Sequence, residues 1–449
     1  LSAGVHAALA GKDVLVLEQH NLPGGFATTF VRGRYEFEVT LHELLDFDTP
    51  ERMGPIRKLL EDAGVEYELN RVPEPYVAVI PNEGINVRLP FGIENFIDAI
   101  EEEVPGSRKE LTRYMKLCNN VYEGILYLRD CTEKGKKPNP ITLNTKYKGF
   151  AANVHKTVKE VDEDFKLPPK VKSLLRPYWC YQGVPLSELT FTTWCYMICG
   201  YLTTGAYVPK DRSHALSTSL TERIRELGGQ VEFNCKVEKI HVKDREVKAV
   251  ELADGTYIET DLVLSNAHPH VVYGRMIEPK SEISEFEAKK VNAQTPSCSA
   301  VTVYLGLDGN PKDIGIEHYE YFIGETADVE EIYDSFYEFA PPKWVSAICH
   351  KNGAAAVEDG TCQLSITGLV MGDAWKDVTP ENYFEEKDKM ADHLVSMFED
   401  ALGVNLRDHI EEIEMVTPET WARYTGAYKG QVFGYEQLPW NSGFVRRVA

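Results

Sequence analysis

Apolar and polar positions follow different periods in different parts of this chain, and the changes of period mark its organisation. Leu1, Ala3, Val5, Ala7, Ala8 and Leu9 form a small-residue apolar stretch that reads as helix, closed by Gly11. Asp13-Val-Leu-Val-Leu17 then reads as a buried strand, with Glu18 directly behind it. Phe30-Val-Arg-Gly-Arg-Tyr-Glu-Phe37 predicts two short strands around Gly33. Residues 92–204 read as mostly helical, with helices over Ile93–Glu103, Lys109–Arg129 and Thr190–Leu202. Leu216–Leu227 predicts an amphipathic helix ended by Gly228-Gly229. Val231–Phe233 and Val237–Val242 alternate as strands, and Val247–Leu252 with Tyr257–Thr260 predicts a hairpin across Asp254-Gly255. Alternation returns over 297–307, 317–324 and 361–370 and predicts a second sheet, whereas 381–414 reads as one or two acidic surface helices.

A helix of small residues, a glycine turn, an apolar strand and an acidic residue at its end form the second half of a Rossmann βαβ unit. The first strand and its glycine fingerprint are expected immediately before Leu1, so the chain reads as cut there, and the closing block reads as cut after Arg447. A carboxylate at the end of such a strand accepts hydrogen bonds from ribose hydroxyls; the plainer alternative for Glu18 is a surface carboxylate. Asn21-Leu-Pro-Gly-Gly25 follows. Two glycines let backbone N–H groups approach a pyrophosphate, although the same dipeptides also mark ordinary turns.

No charged residue occurs between Leu189 and Pro209. That length reaches a membrane span, but five threonines and Gly200 favour a buried helix, either plain core or the wall of an apolar cavity. The aromatic cluster from Tyr319 to Phe339 is open to the same two readings.

Composition narrows the class. At 449 residues the chain suggests two to three domains, and 43% hydrophobic with 26% charged residues is globular usage. A net charge of −22 argues against nucleic acid as a partner and against a broad polybasic membrane patch. Nine scattered cysteines without a CxxC pair fit a reducing compartment, and no secretory leader is read, so a cytoplasmic location is expected. Cys195 and Cys199 share a helix face and read as buried small residues. His268-Pro-His270 lacks a third ligand and reads as structural, so no metal is expected. GxSxG, HExxH and a phosphate-binding Walker loop are absent from the sequence.

The stretch VLVLEQHNLPGGFATTF, followed by YEFEVTLHEL, resembles the FAD-binding start of the phytoene desaturase, carotenoid isomerase and retinol saturase family. Gly205-Ala-Tyr-Val-Pro, Asp261-Leu-Val-Leu-Ser-Asn-Ala267 and Thr417-Pro through Gly434 resemble later blocks of the same family. The resemblance implies an α/β fold: a Rossmann-like FAD-binding domain of glutathione-reductase type, carrying an inserted substrate domain of mixed sheet plus helical lid. It implies 1–80, 205–275 and 415–449 as the discontinuous FAD-binding domain, 81–204 as the helical lid and 276–414 as the substrate sheet with its helices. Carried over, Glu18, Gln19, Gly24, Gly25, Phe26, Thr28, Leu41, His42, Val237, Ser265, Asn266 and Ala267 become FAD contacts. His42 also becomes the candidate catalytic group facing the flavin; its alternative is a satisfied core histidine. Two positions depart from the family: Thr40 and Asp211-Arg212 stand where it carries glycine.

The implied activity is FAD-dependent desaturation, saturation or isomerisation of carbon–carbon bonds in a long apolar polyene. The implied setting is peripheral membrane contact, and no electron partner is indicated. A flavin amine oxidase, which would need an aromatic cage beside the flavin, is one alternative. A non-enzymatic, prenyl-binding relative of the Rab GDP-dissociation-inhibitor type is another.

Overall fold

The helix Ser2–Leu9 and the strand Leu15–Leu17 form as their pattern predicts. Small residues let the helix lie close to its neighbours: a Cβ on Gly4 would come within 3.0 Å of Ile224 and 3.2 Å of Val16. The strand pairs in parallel with Gln230–Glu232, Leu15 opposite Gln230. The helix Arg212–Glu226 packs against both, and Val5, Ala8, Val14, Ile224 and Val231 form the shared core. In this computed structural model, residues 1–45, 47–49, 52–353 and 357–441 are described. Residues 442–449, with Arg447, lie outside them.

The predicted hairpin is present: Glu246–Leu252 pairs antiparallel with Val237–Lys243 on one side and Tyr257–Glu259 on the other. Leu17, Val237 and Val263 pack around its core of Ile240, Val250 and Val272, which brings this small sheet beside the end of the first strand.

The second sheet has seven strands, in the order Ile410–Val416, Ser299–Asp308, Thr361–Val370, Trp344–Cys349, Glu320–Gly324, Tyr76–Ile80 and Ile85–Leu89. All neighbours are antiparallel except Tyr76–Ile80 and Glu320–Gly324. Side chains alternate between its faces. Val301, Val303, Leu305, Val345, Leu364 and Ile366 pack on one face against Leu394, Val395 and Phe398 of the helix Tyr383–Leu402. Thr302, Ser346, Ser365 and Thr367 point to the other face, toward the helical layer.

That layer contains the helices Ile93–Glu103, Arg108–Glu133 and Phe191–Thr204. The Thr190 side chain caps the last of these by accepting the Thr193 N–H. At 14 residues this helix is about 21 Å long, short of the ~30 Å hydrocarbon core of a bilayer. Among the described residues no helix is long and apolar enough to cross a membrane. Cys195 and Cys199 lie buried within it as free thiols.

One expectation holds only in part. The acidic segment 381–414 forms the helix Tyr383–Leu402 and a 3₁₀ turn over Arg407–His409, but it ends in the strand Ile410–Val416. Ile410, Ile413 and Val416 recur every third residue, which imitates a helical face. The segment is an edge strand, and its acids are engaged by the neighbouring hairpin: Arg34 Nε lies 2.8 Å from Glu411 and Arg32 Nε 3.1 Å from Glu414.

Candidate active site

Glu18 ends the first parallel strand. Its N–H donates to Glu232 O, and its carbonyl accepts the Cys235 N–H at 2.8 Å. The carboxylate accepts the His20 N–H at 2.8 Å through Oε1, which holds the side chain at the strand end. Gln19 beside it is exposed. Val237 packs with Leu17 around the small hairpin core. Ser265, Asn266 and Ala267 form an exposed stretch without regular structure after Val263, which joins that same core, and the Ala267 N–H donates back to Ser265 Oγ.

Gly24 and Gly25 turn the chain next. Gly24 has φ +111, and its carbonyl accepts the Ala27 N–H at 3.0 Å. A Cβ at Gly24 would overlap the Ala27 carbonyl oxygen and come within 2.6 Å of Ser217 Oγ. Gly25 has φ +63, and a Cβ there would meet nothing within 4 Å. Thr28 then sits buried beside the helix Arg212–Glu226, its Oγ1 3.4 Å from His214 Nδ1.

The hairpin Thr29–Arg32/Tyr35–Glu38 carries the chain to the wall of a cavity of about 610 Å³. Phe26 and the segment Glu38–Glu43 form one side; the sheet residues Thr302, Trp344, Ser346 and Thr367 form the floor; Tyr181, Tyr196, Met197 and Tyr201 form the roof. Leu41 and His42 both reach it. The helix Phe191–Thr204 is thus a cavity wall, the sharper of its two sequence readings. Tyr319, Phe322 and Phe336 from the aromatic cluster are buried around the same space, while Tyr337 and Phe339 are exposed.

The ionisable groups here are unusually buried. His42 Nδ1 lies 2.6 Å from Thr40 O and Nε2 lies 2.8 Å from the Tyr181 hydroxyl. Burial pushes its pKa down, so the imidazole is held neutral. Glu38 accepts both the N–H and the hydroxyl of Ser213, yet burial raises its carboxyl to about 7. Burial raises Glu320 to about 8, opposed by hydrogen bonds from Tyr181 and Ser346. Glu43 is also raised well above the usual carboxylate range, by burial and then by the charge of Glu320. Sequence reading missed Glu38, Glu43, Glu320 and Tyr181. The available signal was an acid at an inward-facing position of an apolar strand, as in Glu320-Tyr-Phe-Ile-Gly324.

The departures from glycine have structural consequences. Arg212 adopts φ +66, a region that glycine enters freely. Its buried guanidinium bonds the Glu36 carbonyl and lies 3.6 Å from the Glu36 carboxylate. Thr40 donates its hydroxyl to Phe26 O at 3.1 Å and so ties the glycine turn to the cavity wall. His268 and His270 stack with ring centroids 5.3 Å apart and bond Gln431 and Tyr435. Among the described residues no group of three or more side chains is arranged for a metal ion.

The family model for flavin-containing amine oxidoreductases matches residues 1–444. The chain belongs to that family. Among curated proteins, all-trans-retinol 13,14-reductase of Danio rerio is 21% identical over 97% of this chain and 75% of its own length. The 1-hydroxycarotenoid 3,4-desaturase of a Flavobacterium species is 23% identical over 96% of this chain and 86% of its own. Among solved structures, a variant of putrescine oxidase aligns with a TM-score of 0.62 at 13% identity, over 95% of this chain and 84% of the other. That last likeness shows the fold alone.

This flavin oxidoreductase takes FAD as its cofactor, and its residues fit the group. At the Pro-Gly-Gly turn a Cβ on Gly24 would collide with Ala27 O and Ser217 Oγ, whereas nothing lies within 4 Å of a Cβ on Gly25, so the backbone there is open to close approach. Glu18 sits at a strand end with one oxygen already engaged by the backbone, in the manner of a ribose-binding carboxylate. From Glu18 through Gly24-Gly25 to Leu41 and His42, the expected contacts run in one direction and end in an apolar cavity.

Proposed function

We propose that this flavin oxidoreductase acts on carbon–carbon bonds of a long apolar polyene of the carotenoid or retinoid type, by saturation, desaturation or isomerisation. The observation that carries this reading is the cavity: about 610 Å³, walled by aromatic and aliphatic side chains, with His42 and Leu41 at one side. The relatives named for retinol reduction and carotenoid desaturation support it from the sequence side.

In this reading Glu18, Gln19, Val237 and Ser265–Ala267 hold the adenosine half of FAD, and the Gly24-Gly25 turn holds the pyrophosphate. Phe26, Thr28, Leu41 and His42 border the flavin ring. Residues 1–80, 205–275 and 415–449 build the cofactor domain, with Tyr76–Ile80 handing over to the seven-stranded sheet. Residues 81–204 cover the cavity and 276–414 floor it. Bound FAD supplies hydride exchange. The chain's own part is to hold a featureless substrate along the aromatic roof, to exclude water and to manage the accompanying proton. Peripheral membrane contact is supported by Ile141, which is 74% exposed on the short helix Pro140–Thr145 between Lys136-Lys137 and Lys146.

The test is turnover by the FAD-loaded protein under anaerobic conditions. A retinoid and a carotenoid should each be examined with oxidised and with chemically reduced flavin, and putrescine should be run beside them. A gain or loss of two hydrogens, or a changed double-bond geometry, is the expected outcome. Oxidation of the amine with both polyenes untouched overturns the reading in favour of an amine oxidase.

A further inference from the structure

The hydrogen bonds around His42 leave a proton to be accounted for. Thr40 O only accepts, so His42 Nδ1, 2.6 Å away, carries a hydrogen. A neutral imidazole then presents a lone pair at Nε2, and the Tyr181 hydroxyl 2.8 Å away must donate to it. The same Tyr181 oxygen lies against Glu320 Oε1. With its single hydrogen engaged at His42, Tyr181 accepts from Glu320, and Glu320 must be protonated. If Tyr181 donates to Glu320 instead, His42 holds both hydrogens. The two states differ by one proton moved from Glu320 to His42 through Tyr181.

The far side of Glu320 makes the same demand. Glu320 Oε2 and both oxygens of Glu43 are inaccessible to solvent, and the groups that approach Glu43 are the carboxyl of Glu320 and the hydroxyls of Tyr178 and Tyr201. Two ionised carboxylates only accept; a proton on either one bonds the other. Their surroundings are Tyr76, Tyr178, Tyr201, Tyr319 and the Cys180 thiol, with His350 beyond His42. Neither carboxyl forms an ion pair with an arginine or lysine among the described residues. Glu43, Tyr181 and His42 line the cavity itself.

We propose that Glu43 and Glu320 store a proton for the reaction in the cavity and deliver it through Tyr181, with His42 as the alternative holder at the other end of the relay. The proposal rests on the polyene reading. In saturation the carbon–carbon double bond takes a proton from Tyr181, and FAD, when bound, would supply the matching hydride. The Tyr181 O–H bond breaks as the substrate C–H bond forms. The Glu320 proton restores the hydroxyl, leaving a carboxylate that takes the Glu43 proton, and Glu43, which lines the cavity, regains one from water that enters as the product leaves. Desaturation runs the same proton inward.

Infrared spectroscopy of the FAD-loaded full chain tests the store directly, because a protonated carboxyl has a carbonyl stretch distinct from that of a carboxylate. Measured in a Glu38→Gln background, which removes the other raised carboxyl, the expected result is a protonated-carboxyl band at neutral pH that shifts in D₂O and is lost when Glu320→Gln is added. Glu43→Gln, which also keeps side-chain size and a donor, is the second variant. Tyr181→Phe is expected to keep the band and FAD binding while slowing the carbon–carbon step on the order of 10²-fold and reducing its solvent isotope effect. Absence of the band in the Glu38→Gln background, its persistence when either further glutamine is added, or wild-type turnover in Tyr181→Phe overturns the relay. The band reads the store whether or not a polyene reacts, so a band without polyene turnover supports the store and sinks only the substrate reading.

Discussion

The turn at Gly24 and Gly25 offers a sharp quantitative test, because the two glycines differ in what surrounds them. An alanine Cβ at Gly24 collides with the Ala27 carbonyl oxygen and approaches Ser217 Oγ to 2.6 Å. The Ala27 carbonyl is itself fixed, accepting the Ser217 hydroxyl at 2.7 Å, and the Ala27 N–H closes the turn on Gly24 O at 3.0 Å. Relief requires the turn to open and give up at least one of those bonds, at about 1 kcal/mol each. The positive φ of +111 adds roughly 1–3 kcal/mol for a residue with a side chain. Gly24→Ala therefore costs about 3 kcal/mol in the conformation that binds the cofactor, which is about a hundredfold in FAD affinity. Gly25→Ala meets no neighbour and carries only the left-handed backbone term, about 1 kcal/mol and under about tenfold. Titration of apoprotein with FAD, followed by quenching of flavin fluorescence, measures both, and thermal melts of the apoproteins establish that both fold. Equal losses at the two positions, or an unaltered affinity in Gly24→Ala, would refute the assignment of this turn to the pyrophosphate.

Three further outcomes follow from buried charges. Asp162→Ala leaves the Arg176 guanidinium, bound through two contacts of 2.7 Å and only 3% exposed, without its anion; denaturant melts should show a loss of about 3–5 kcal/mol. Glu38 titrates at about 7 when folded against 4.5 when free, so the folded state alone holds its proton between those values. Stability should therefore fall as pH rises through that window, by on the order of 3 kcal/mol, and Glu38→Gln should flatten that part of the profile in melts run from pH 4 to 8. Arg212→Gly restores a residue suited to φ +66 but removes the guanidinium between Glu36 and His350; the melting temperature should fall, because the lost buried contacts outweigh about 1 kcal/mol of backbone relief.

Legibility in the sequence tracked the range of the interactions involved. Helix Ile93–Glu103 and strand Thr361–Val370 were readable to the residue because periodicity and local punctuation set their ends. The local geometry of the Glu18 and Pro-Gly-Gly region was readable because it is set by neighbours in the chain: a strand end, a carboxylate held by the His20 N–H and a turn that excludes a side chain at Gly24. What escaped depends on strands meeting from far apart. Glu320 lies 277 positions from Glu43, and each is unremarkable in its own segment. Only the pairing of Glu320–Gly324 with Tyr76–Ile80 and Trp344–Cys349 sets that carboxyl against Tyr181 and Ser346 of the cavity wall. The edge strand Ile410–Val416 was misread for a related reason. Its acids look like a solvated helical face until Arg32 and Arg34, brought from the other end of the chain, are placed opposite them.

The proton count also bears on which substrate class the cavity suits. A carotenoid or retinoid chain offers no group for a charged side chain to recognise, so ionised residues in its binding space would go unpaired at a cost of several kcal/mol each. A protonated amine makes the opposite demand and favours a carboxylate facing an aromatic wall. The aromatic wall is present in Tyr181, Tyr201 and Trp344, so aromatic content alone does not separate the two. The carboxyls do. Burial holds Glu43 and Glu320 toward their neutral forms, Glu43 also through the charge of Glu320, and with neutral His42 the chain of groups from Thr40 to Glu43 carries no net charge. A cation would bind here only by expelling the stored proton, whereas an apolar chain leaves it in place beside the double bond that needs it.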